Sequence, residues 1–312
     1  MTLYFVVPCY NEEQALPAAA KALGEKVDAL VSSGRISADS KILFVDDGSN
    51  DKTWEIISGL HRDGGVFQGV KLSRNRGHQN ALLAGLTVAA KYCDAAVSID
   101  ADLQDDLDAA DKMLDEFGNG CDVVYGVRSS RKKDGFFKRN TAQGFYKFMR
   151  KMGVEIVYNH ADYRLMSRRA LEALEGFGEV NLFLRGIVPM IGFKSGTVYY
   201  ERGERTAGES KYPLKKMLAF AFEGVTSLSI KPIRMIAALG ALIFLVSIIA
   251  LAYSLTRHFT GHTEIGWTSI VVSIWAIGGI QLFSIGVVGE YIGKIYLETK
   301  RRPRFIIERY LR

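Results

Sequence analysis

Residues 97–104 carry two aspartates and a glutamine at alternate positions, directly after an apolar run. In an extended chain alternate side chains lie on one face, so Asp100, Asp102 and Gln104 would point the same way. Oxygen ligands of this kind suit Mg²⁺ or Mn²⁺, which proteins commonly bind through one or two carboxylates together with substrate phosphates. The spacing therefore predicts a divalent-cation site formed by these three residues.

Three further acids follow this segment, namely Asp105, Asp106 and Asp108. They precede an amphipathic run at 113–117, and acidic residues before a helix cap its first turn and complement its dipole. We therefore interpret these three acids as solvated helix-start residues, and only Asp100 and Asp102 as carboxylates available for chemistry.

Short β-branched or aromatic runs alternate with longer amphipathic runs over the first 126 residues. This pattern predicts strands at 3–7, 41–45, 69–72, 95–99 and 122–126, and helices at 14–31, 53–60, 79–92 and 107–117. Such alternation favours an α/β fold with a mostly parallel sheet, in which ligands bind at the carboxyl ends of the strands. Polar clusters follow three predicted strands, at 8–13, 46–51 and 100–104.

The first two polar clusters have residues suited to a nucleobase. Pro8 is expected to end the first strand because proline cannot continue the ladder, and Tyr10 beyond it could stack on a base. The alternative is a plain strand-to-helix turn with Asn11 as the cap. Asp46, at the end of the second strand, could accept the imide N–H of uracil or guanine.

The composition bounds the class of protein. A chain of 312 residues that is 48% hydrophobic supports a buried core, and its three cysteines are too far apart for a disulfide framework or a zinc knuckle. The net charge of +6 could suggest nucleic acid. However, the basic residues concentrate between 128 and 151 and around two apolar segments, which favours anionic lipid headgroups and no nucleic acid.

These two apolar segments, at 235–255 and 267–288, contain no charged residue. A helix needs about 20 apolar residues to cross a bilayer, so we predict two membrane helices. Lys and Arg flank the pair, and Arg257 alone lies between, so both termini and the N-terminal domain are expected in the cytosol. No signal peptide is expected before the strand-like start of the chain. Gly286, Gly289 and Gly293 would permit close helix contacts, including those of a homo-oligomer.

Two other segments, at about 131–152 and at 213–230, interleave basic with aromatic or aliphatic residues. This composition is typical of an amphipathic helix on a membrane surface, although a basic face over an ordinary core gives the same pattern. Because the chain is expected to be membrane-anchored, we predict that both segments rest on the bilayer.

The polar clusters together resemble the family 2 glycosyltransferases, enzymes that use nucleotide-activated sugars on a Rossmann-like GT-A domain. Further segments are similar to the polyprenyl-phosphate branch of that family: RNRGHQNALLAG at 74–85, DYRLM at 162–166, NLFLRG at 181–186, RTAGESKY at 205–212 and GEYIGK at 289–294. Within the branch the chain looks most like bactoprenol (undecaprenyl-phosphate) glucosyltransferases, and it is related to dolichol-phosphate mannose synthases. His160 and Tyr163 depart from the Gly-Asp-Phe-Arg pattern of relatives.

The resemblance covers nearly the whole chain and implies its organisation. It implies a cytosolic GT-A domain over 1–212, a juxtamembrane helix over 213–230, a membrane hairpin of helices 235–255 and 267–288, and a basic cytosolic tail over 289–312. The implied location is the bacterial plasma membrane.

The resemblance also implies an inverting, metal-dependent transfer of a sugar to undecaprenyl phosphate, with UDP-glucose as the closest match for the donor. The nucleotide-sugar positions are Pro8, Tyr10, Glu12, Asp46, Asp100, Ala101, Arg205 and Lys211. Asp102 and Asp162 match catalytic positions, and Asp162 corresponds to the family's proposed base. Arg128 and Arg131, just after the fifth strand, are candidates to hold the acceptor phosphate.

Such a reaction needs little proton removal, because a phosphate monoester has a second pKa of about 6 and is already largely a dianion. We therefore expect Asp162 to orient the acceptor or the sugar more than to abstract a proton. GDP-mannose or UDP-aminoarabinose are alternative donors. A haloacid dehalogenase-like phosphatase is disfavoured because Gln104 occupies the position of its Thr, and the five histidines show no metal-ligand spacing. His78 is expected to have a polar or capping role.

Overall fold

The computed structural model describes residues 1–128, 160–179, 182–201, 229, 231–259 and 266–312. The amphipathic segment predicted at 131–152 and nearly all of that at 213–230 lie outside these residues. So do three predicted site residues: Arg131, Arg205 and Lys211.

The described residues form one eight-stranded sheet. Its strands are β1 (Leu3–Cys9), β2 (Lys41–Asp46), β3 (Phe67–Leu72), β4 (Ala95–Ser98), β5 (Val123–Arg128), β6 (His160–Ser167), β7 (Ser195–Tyr200) and β8 (Ile307–Leu311). The spatial order is β7-β5-β6-β4-β1-β2-β3-β8. β4, β1, β2 and β3 are mutually parallel, β5 is parallel to β7, and β6 and β8 are antiparallel to their neighbours.

Helices connect the strands and cover both faces of the sheet. They are α1 (Leu16–Ser32), α2 (Thr53–Arg62), α3 (His78–Ala89), α4 (Ala109–Gly118), α5 (Arg168–Glu175) and α6 (Leu184–Met190), followed by the long α7 (Lys231–Phe259) and α8 (Trp267–Thr299). One core cluster packs α1, α2 and α4 on one face, and the other packs α3, α5 and α6 on the opposite face. β1 is buried along its whole length because it contributes to both clusters.

The α/β fold with a mostly parallel, Rossmann-like sheet is confirmed, and so are the five predicted strands and four predicted helices within a few residues. Two details are wrong. Pro8 lies inside β1, opposite Val45, and does not end the strand. β4 ends at Ser98, so the polar segment after it is not extended.

The C-terminal segment predicted as a basic tail is helical to Thr299 and then returns to the sheet as β8. β8 pairs with β3, and the Ser73 amide donates to the Ile306 carbonyl at 3.0 Å. The Tyr310 hydroxyl donates to Gln68 Oε1 at 3.2 Å. The sheet domain is therefore not confined to residues 1–212, because it includes β8.

Helices α7 and α8 contain the two apolar segments and extend beyond them. Many of their apolar side chains are exposed, among them Ile249 at 69%, Leu282 at 73% and Phe283 at 70%. Across the described residues, no helix meets the combined length and hydropathy of a membrane crossing.

Helix α3 packs closely on the sheet at Gly85. A Cβ there would lie 2.6 Å from Val45 Cγ2 and even closer to Val6, both in the core. Because β-branched side chains cannot turn aside, Gly85→Ala should lower the free energy of unfolding by about 1–3 kcal/mol. Gly59→Ala in α2 is the matched control: a Cβ there meets nothing within 4 Å. It should stabilise the protein by about 0.5–1 kcal/mol. Equal effects on thermal unfolding would contradict this packing.

Candidate active site

The loops after β1 and β2 are joined by hydrogen bonds that involve the backbone. Asn11, in a left-handed conformation with φ of 54°, donates its amide to Ser49 Oγ at 3.0 Å and accepts from the Asn50 amide at 2.9 Å. The Glu12 amide donates to Thr53 Oγ1 at 2.9 Å. Asn11 therefore links two loops and does not cap α1. Tyr10, which directly precedes Asn11, is 43% exposed.

Asp46 ends β2 in a fully buried position. Its Oδ1 accepts from the Ser49 amide at 3.2 Å, whereas its Oδ2 is buried with no hydrogen-bond partner. Burial raises the pKa of this carboxyl group. A buried acceptor without a donor is costly, so an N–H group from a bound molecule would satisfy it.

The next two residues hold the loop before α3. Asp47 accepts from the Arg76 amide at 2.7 Å and from the Gly77 amide at 2.8 Å. Gly48 has a φ of 67°, and a Cβ there would lie 2.6 Å from the Asn75 backbone nitrogen. Only glycine allows this close approach, so the Asp-Asp-Gly sequence fixes where α3 begins.

His78, the first residue of α3, lies between two acids. Its Nε2 is 3.6 Å from Asp100 Oδ1 and 3.7 Å from Asp162 Oδ2. Gly77 occupies the cap position, so of the two roles expected for His78, polar or capping, the structure agrees with the polar one. Burial raises the pKa of Asp100 to about 6; His78 opposes this shift, and the Asp162 and Asp105 carboxylates add to it. The site therefore carries an excess of negative charge, which a cation would offset.

The segment from Asp100 to Gln104 turns after β4 and does not continue as a strand. Leu103 has a φ of 46°, and the Gln104 amide donates to Asp102 Oδ1 at 3.2 Å. The alternating-face interpretation of Asp100, Asp102 and Gln104 is therefore wrong, and Gln104 is 4% exposed. In the described part of the chain, no three His, Cys, Asp or Glu side chains form a group that could hold a metal ion.

Asp162 is held by two arginines. Arg164 Nη2 donates to its Oδ1 at 2.9 Å, and Arg185 Nη2, from α6, donates to its Oδ2 at 3.0 Å. Burial acts to raise the pKa of Asp162, but the Arg185 and Arg164 charges outweigh it and hold that pKa well below the usual range. Asp162 therefore stays ionised and is a weak proton acceptor.

Neither arginine is among the site residues predicted from the sequence. Arg164 is 1% exposed in a strand that pairs with a neighbour on each side, and a buried charge needs a partner. The rule that a buried charge needs a partner would have identified Arg164 as the partner of Asp162. Gln79 Oε1 accepts from the Leu184 amide at 2.8 Å, so the start of α3 also fixes the helix that carries Arg185.

Asp105 is buried at 3% exposure, so its interpretation as a solvated helix-start acid is wrong. The Tyr200 hydroxyl donates to its Oδ1 at 2.6 Å, and Arg128 Nη2 donates to the same atom at 3.3 Å. Arg128, at the end of β5, is thus joined to the loop that carries Asp102. Asp106 and Asp108 are exposed as expected.

The structure brings several predicted residues to the carboxyl edge of the central strands: Glu12, Tyr10, Asp46, Asp100, Asp102 and Asp162. Pro8 lies in β1 just before this edge, and Ala101, in the turn after β4, is buried. A mostly parallel sheet with acids gathered beyond its strand ends defines an α/β domain of the Rossmann-like class, which binds its ligand at this edge.

The chain belongs to glycosyl transferase family 2, which matches residues 4–175, and residues 231–295 match the GtrB C-terminal hairpin. It is 53% identical to the uncharacterized glycosyltransferase YkoT of Bacillus subtilis, over 98% of this chain and 91% of that protein. It is 39% identical to the prophage bactoprenol glucosyl transferase homolog of Escherichia coli, over 99% of each. It is 38% identical to the bactoprenol glucosyl transferase of Shigella phage SfX, again over 99% of each. The protein is thus a glycosyltransferase, as the sequence motifs predict.

The charge balance of the site predicts opposite effects for two substitutions. Asp162→Asn should lower the free energy of unfolding by about 3–5 kcal/mol, because it leaves the Arg164 charge buried without its carboxylate. Asp100→Asn should leave stability unchanged or raise it by at most about 1 kcal/mol, because it removes a repelled charge whose side chain is 40% exposed. Thermal unfolding of the two purified variants measures the difference. A loss of stability in Asp100→Asn equal to that in Asp162→Asn would contradict the charge excess.

Proposed function

We propose that this protein transfers glucose from UDP-glucose to the phosphate of undecaprenyl phosphate, with inversion at the anomeric carbon. One observation carries the proposal: the chain matches transferases named for bactoprenol over 99% of its length, and the match includes the hairpin. The product would be a lipid-linked sugar that donates to a later transfer.

The uridine would be held at the ends of β1 and β2. The unpartnered, buried Asp46 Oδ2 supports this proposal because the imide N–H of uracil is the donor that it lacks. Tyr10 is exposed enough to stack on the ring. Pro8, Glu12 and Ala101 would complete the nucleotide-sugar site, and Arg205 and Lys211, outside the described residues, would close over the diphosphate.

Asp100 and Asp102 suit a divalent cation, Mg²⁺ or Mn²⁺. Burial is the main cause of the raised pKa of Asp100, and the Asp162, Asp105 and Asp102 carboxylates add to it, so a cation bound here would relieve their repulsion. Two carboxylates are enough, since Mg²⁺ is usually bound by one or two carboxylates plus substrate phosphates. When bound, the ion would neutralise charge on the departing diphosphate.

The acceptor phosphate would be held by Arg128 and Arg131. As a dianion it needs no base, and the low pKa of Asp162 supports an orienting role for this residue. Asp102 and Asp162 would then act through charge and position, which supply most of the rate when little proton transfer is needed. Near-normal turnover of Asp162→Asn with unchanged substrate binding would exclude a role for Asp162 in the chemistry.

We further propose that α7 and α8 form a membrane hairpin in the bacterial plasma membrane, with the termini and the catalytic domain in the cytosol. The uncharged segments 235–255 and 267–288, the exposed apolar side chains and the match to the GtrB hairpin support this proposal. Segments 131–152 and 213–230 would rest on the lipid surface. Gly286, Gly289 and Gly293 would allow a homo-oligomer through close helix contacts.

The donor and acceptor can be tested directly. Purified protein with Mg²⁺, undecaprenyl phosphate and a panel of UDP and GDP sugars should yield a glucose-containing lipid from UDP-glucose, identified by mass spectrometry. Removal of the metal with EDTA should abolish the product, and Asp102→Asn should lower its rate by at least about 100-fold. Asp108→Asn, an exposed acid nearby, is the control and should retain the wild-type rate. Product from another sugar, or full activity in EDTA, would contradict the corresponding part of the proposal.

The role of Asp46 can be tested separately. Asp46→Asn should raise the KM for UDP-glucose by about tenfold or more, because the imide N–H loses a charged acceptor. Its kcat should change little, since binding of the base is the same in the ground and transition states. The fold should not lose stability, because burial already disfavours the ionised form. An unchanged KM would contradict uracil binding at this residue.

A further inference from the structure

The cluster that joins Asp105, Tyr200 and Arg128 has no role in the function proposed above beyond the presence of Arg128. Tyr200 and Asp105 are 3% exposed each. The Tyr200 hydroxyl donates to Asp105 Oδ1 at 2.6 Å, which is a short hydrogen bond to a carboxylate. The buried phenol of Tyr200, at the end of β7, is therefore held against the buried carboxylate of Asp105, in the loop after β4.

Arg128 is held by both members of this pair. Its Nε donates to the Tyr200 hydroxyl at 3.4 Å, and its Nη2 donates to Asp105 Oδ1 at 3.3 Å. The Tyr200 hydroxyl thus accepts from Arg128 while it donates to Asp105. Two contacts on neighbouring nitrogens define the plane of a guanidinium group, and phosphate recognition by arginine depends on that plane.

We propose that Tyr200 and Asp105 are positioning residues that aim Arg128 at the acceptor phosphate. This inference rests on the proposed function, in which Arg128 binds that phosphate. Arg128 is 25% exposed at the side chain, so it can reach a ligand while its inner nitrogens stay on the pair. Asp105 directly follows the turn that carries Asp102. The guanidinium group of Arg128, which would bind the acceptor phosphate, is therefore fixed relative to the donor site.

The neighbouring Tyr163 provides a matched control. Its ring meets the Tyr200 ring edge to face at a centroid distance of 5.4 Å, and it is equally buried at 1% exposure. Its hydroxyl donates to the Asp106 carbonyl at 3.0 Å, whereas the hydrogen bonds of Arg128 in the described part of the chain go to Tyr200 and Asp105. Tyr163→Phe and Tyr200→Phe therefore each remove one buried hydroxyl donor from the same cluster, but only the second removes a contact with Arg128.

Steady-state kinetics with undecaprenyl phosphate and UDP-glucose test the inference. Tyr200→Phe should raise the KM for undecaprenyl phosphate by about tenfold, because a hydrogen bond that orients a charged group is lost. The KM for UDP-glucose should not change, and Tyr163→Phe should behave as wild type for both substrates. Asp105→Asn should shift the acceptor KM in the same direction as Tyr200→Phe.

A double-mutant cycle separates positioning from a general structural effect. In an Arg128→Ala background, Tyr200→Phe should cause no further rise in the acceptor KM, because the residue acts through Arg128. Additive effects, or equal rises in both KM values, would overturn the inference while leaving the proposed function intact. If the wild-type protein forms no glycolipid from these substrates, the proposed function fails and the inference fails with it.

Discussion

Repulsion among carboxylates at one edge of the sheet is the constraint on which the rest of the site depends. Asp100, Asp102, Asp105 and Asp162 lie at or beside the ends of β4 and β6, and each needs compensation. Asp162 receives it from two arginines, and Asp105 receives it from Arg128 and Tyr200. Among the described residues the half-exposed His78 opposes the charge of Asp100, while burial and the neighbouring carboxylates raise the pKa of Asp100 to about 6. The protein thus neutralises its structural acids and leaves a charge excess where a cation is expected.

Such a balance requires that the charged groups keep their positions, and the start of α3 explains how they do. The start of α3 is fixed from two directions: by Asp47, which directly follows β2, and by the Gln79 contact with α6. Elements distant in sequence therefore converge on the residue that contacts Asp100 and Asp162. Rigid placement of this kind is what electrostatic catalysis needs, because charges arranged in advance do not have to reorganise during the reaction.

The first half of the fold could be predicted because its strands are buried on both faces and read as continuous apolar runs. The acids of the site could also be predicted, because the carboxyl ends of parallel strands meet at one edge of the sheet. Other features could not be found in this way. β6 enters the sheet antiparallel after a basic segment, β8 comes from a polar terminus, and the turn after Ser98 depends on a left-handed Leu103. Asp105 was misassigned because its burial depends on Tyr200, which is 95 residues away.

The position of β8 at the sheet edge has a consequence for how the protein is made. Domains usually begin to fold from the N-terminal side while the chain is still being synthesised. Here the strand that pairs with β3, β8, is synthesised only after both long helices. Until then β3 has an unpaired edge, and such edges promote aggregation. Completion of the catalytic domain is therefore coupled to synthesis of the entire hairpin, and a nascent chain stalled within the hairpin would carry an unfinished sheet.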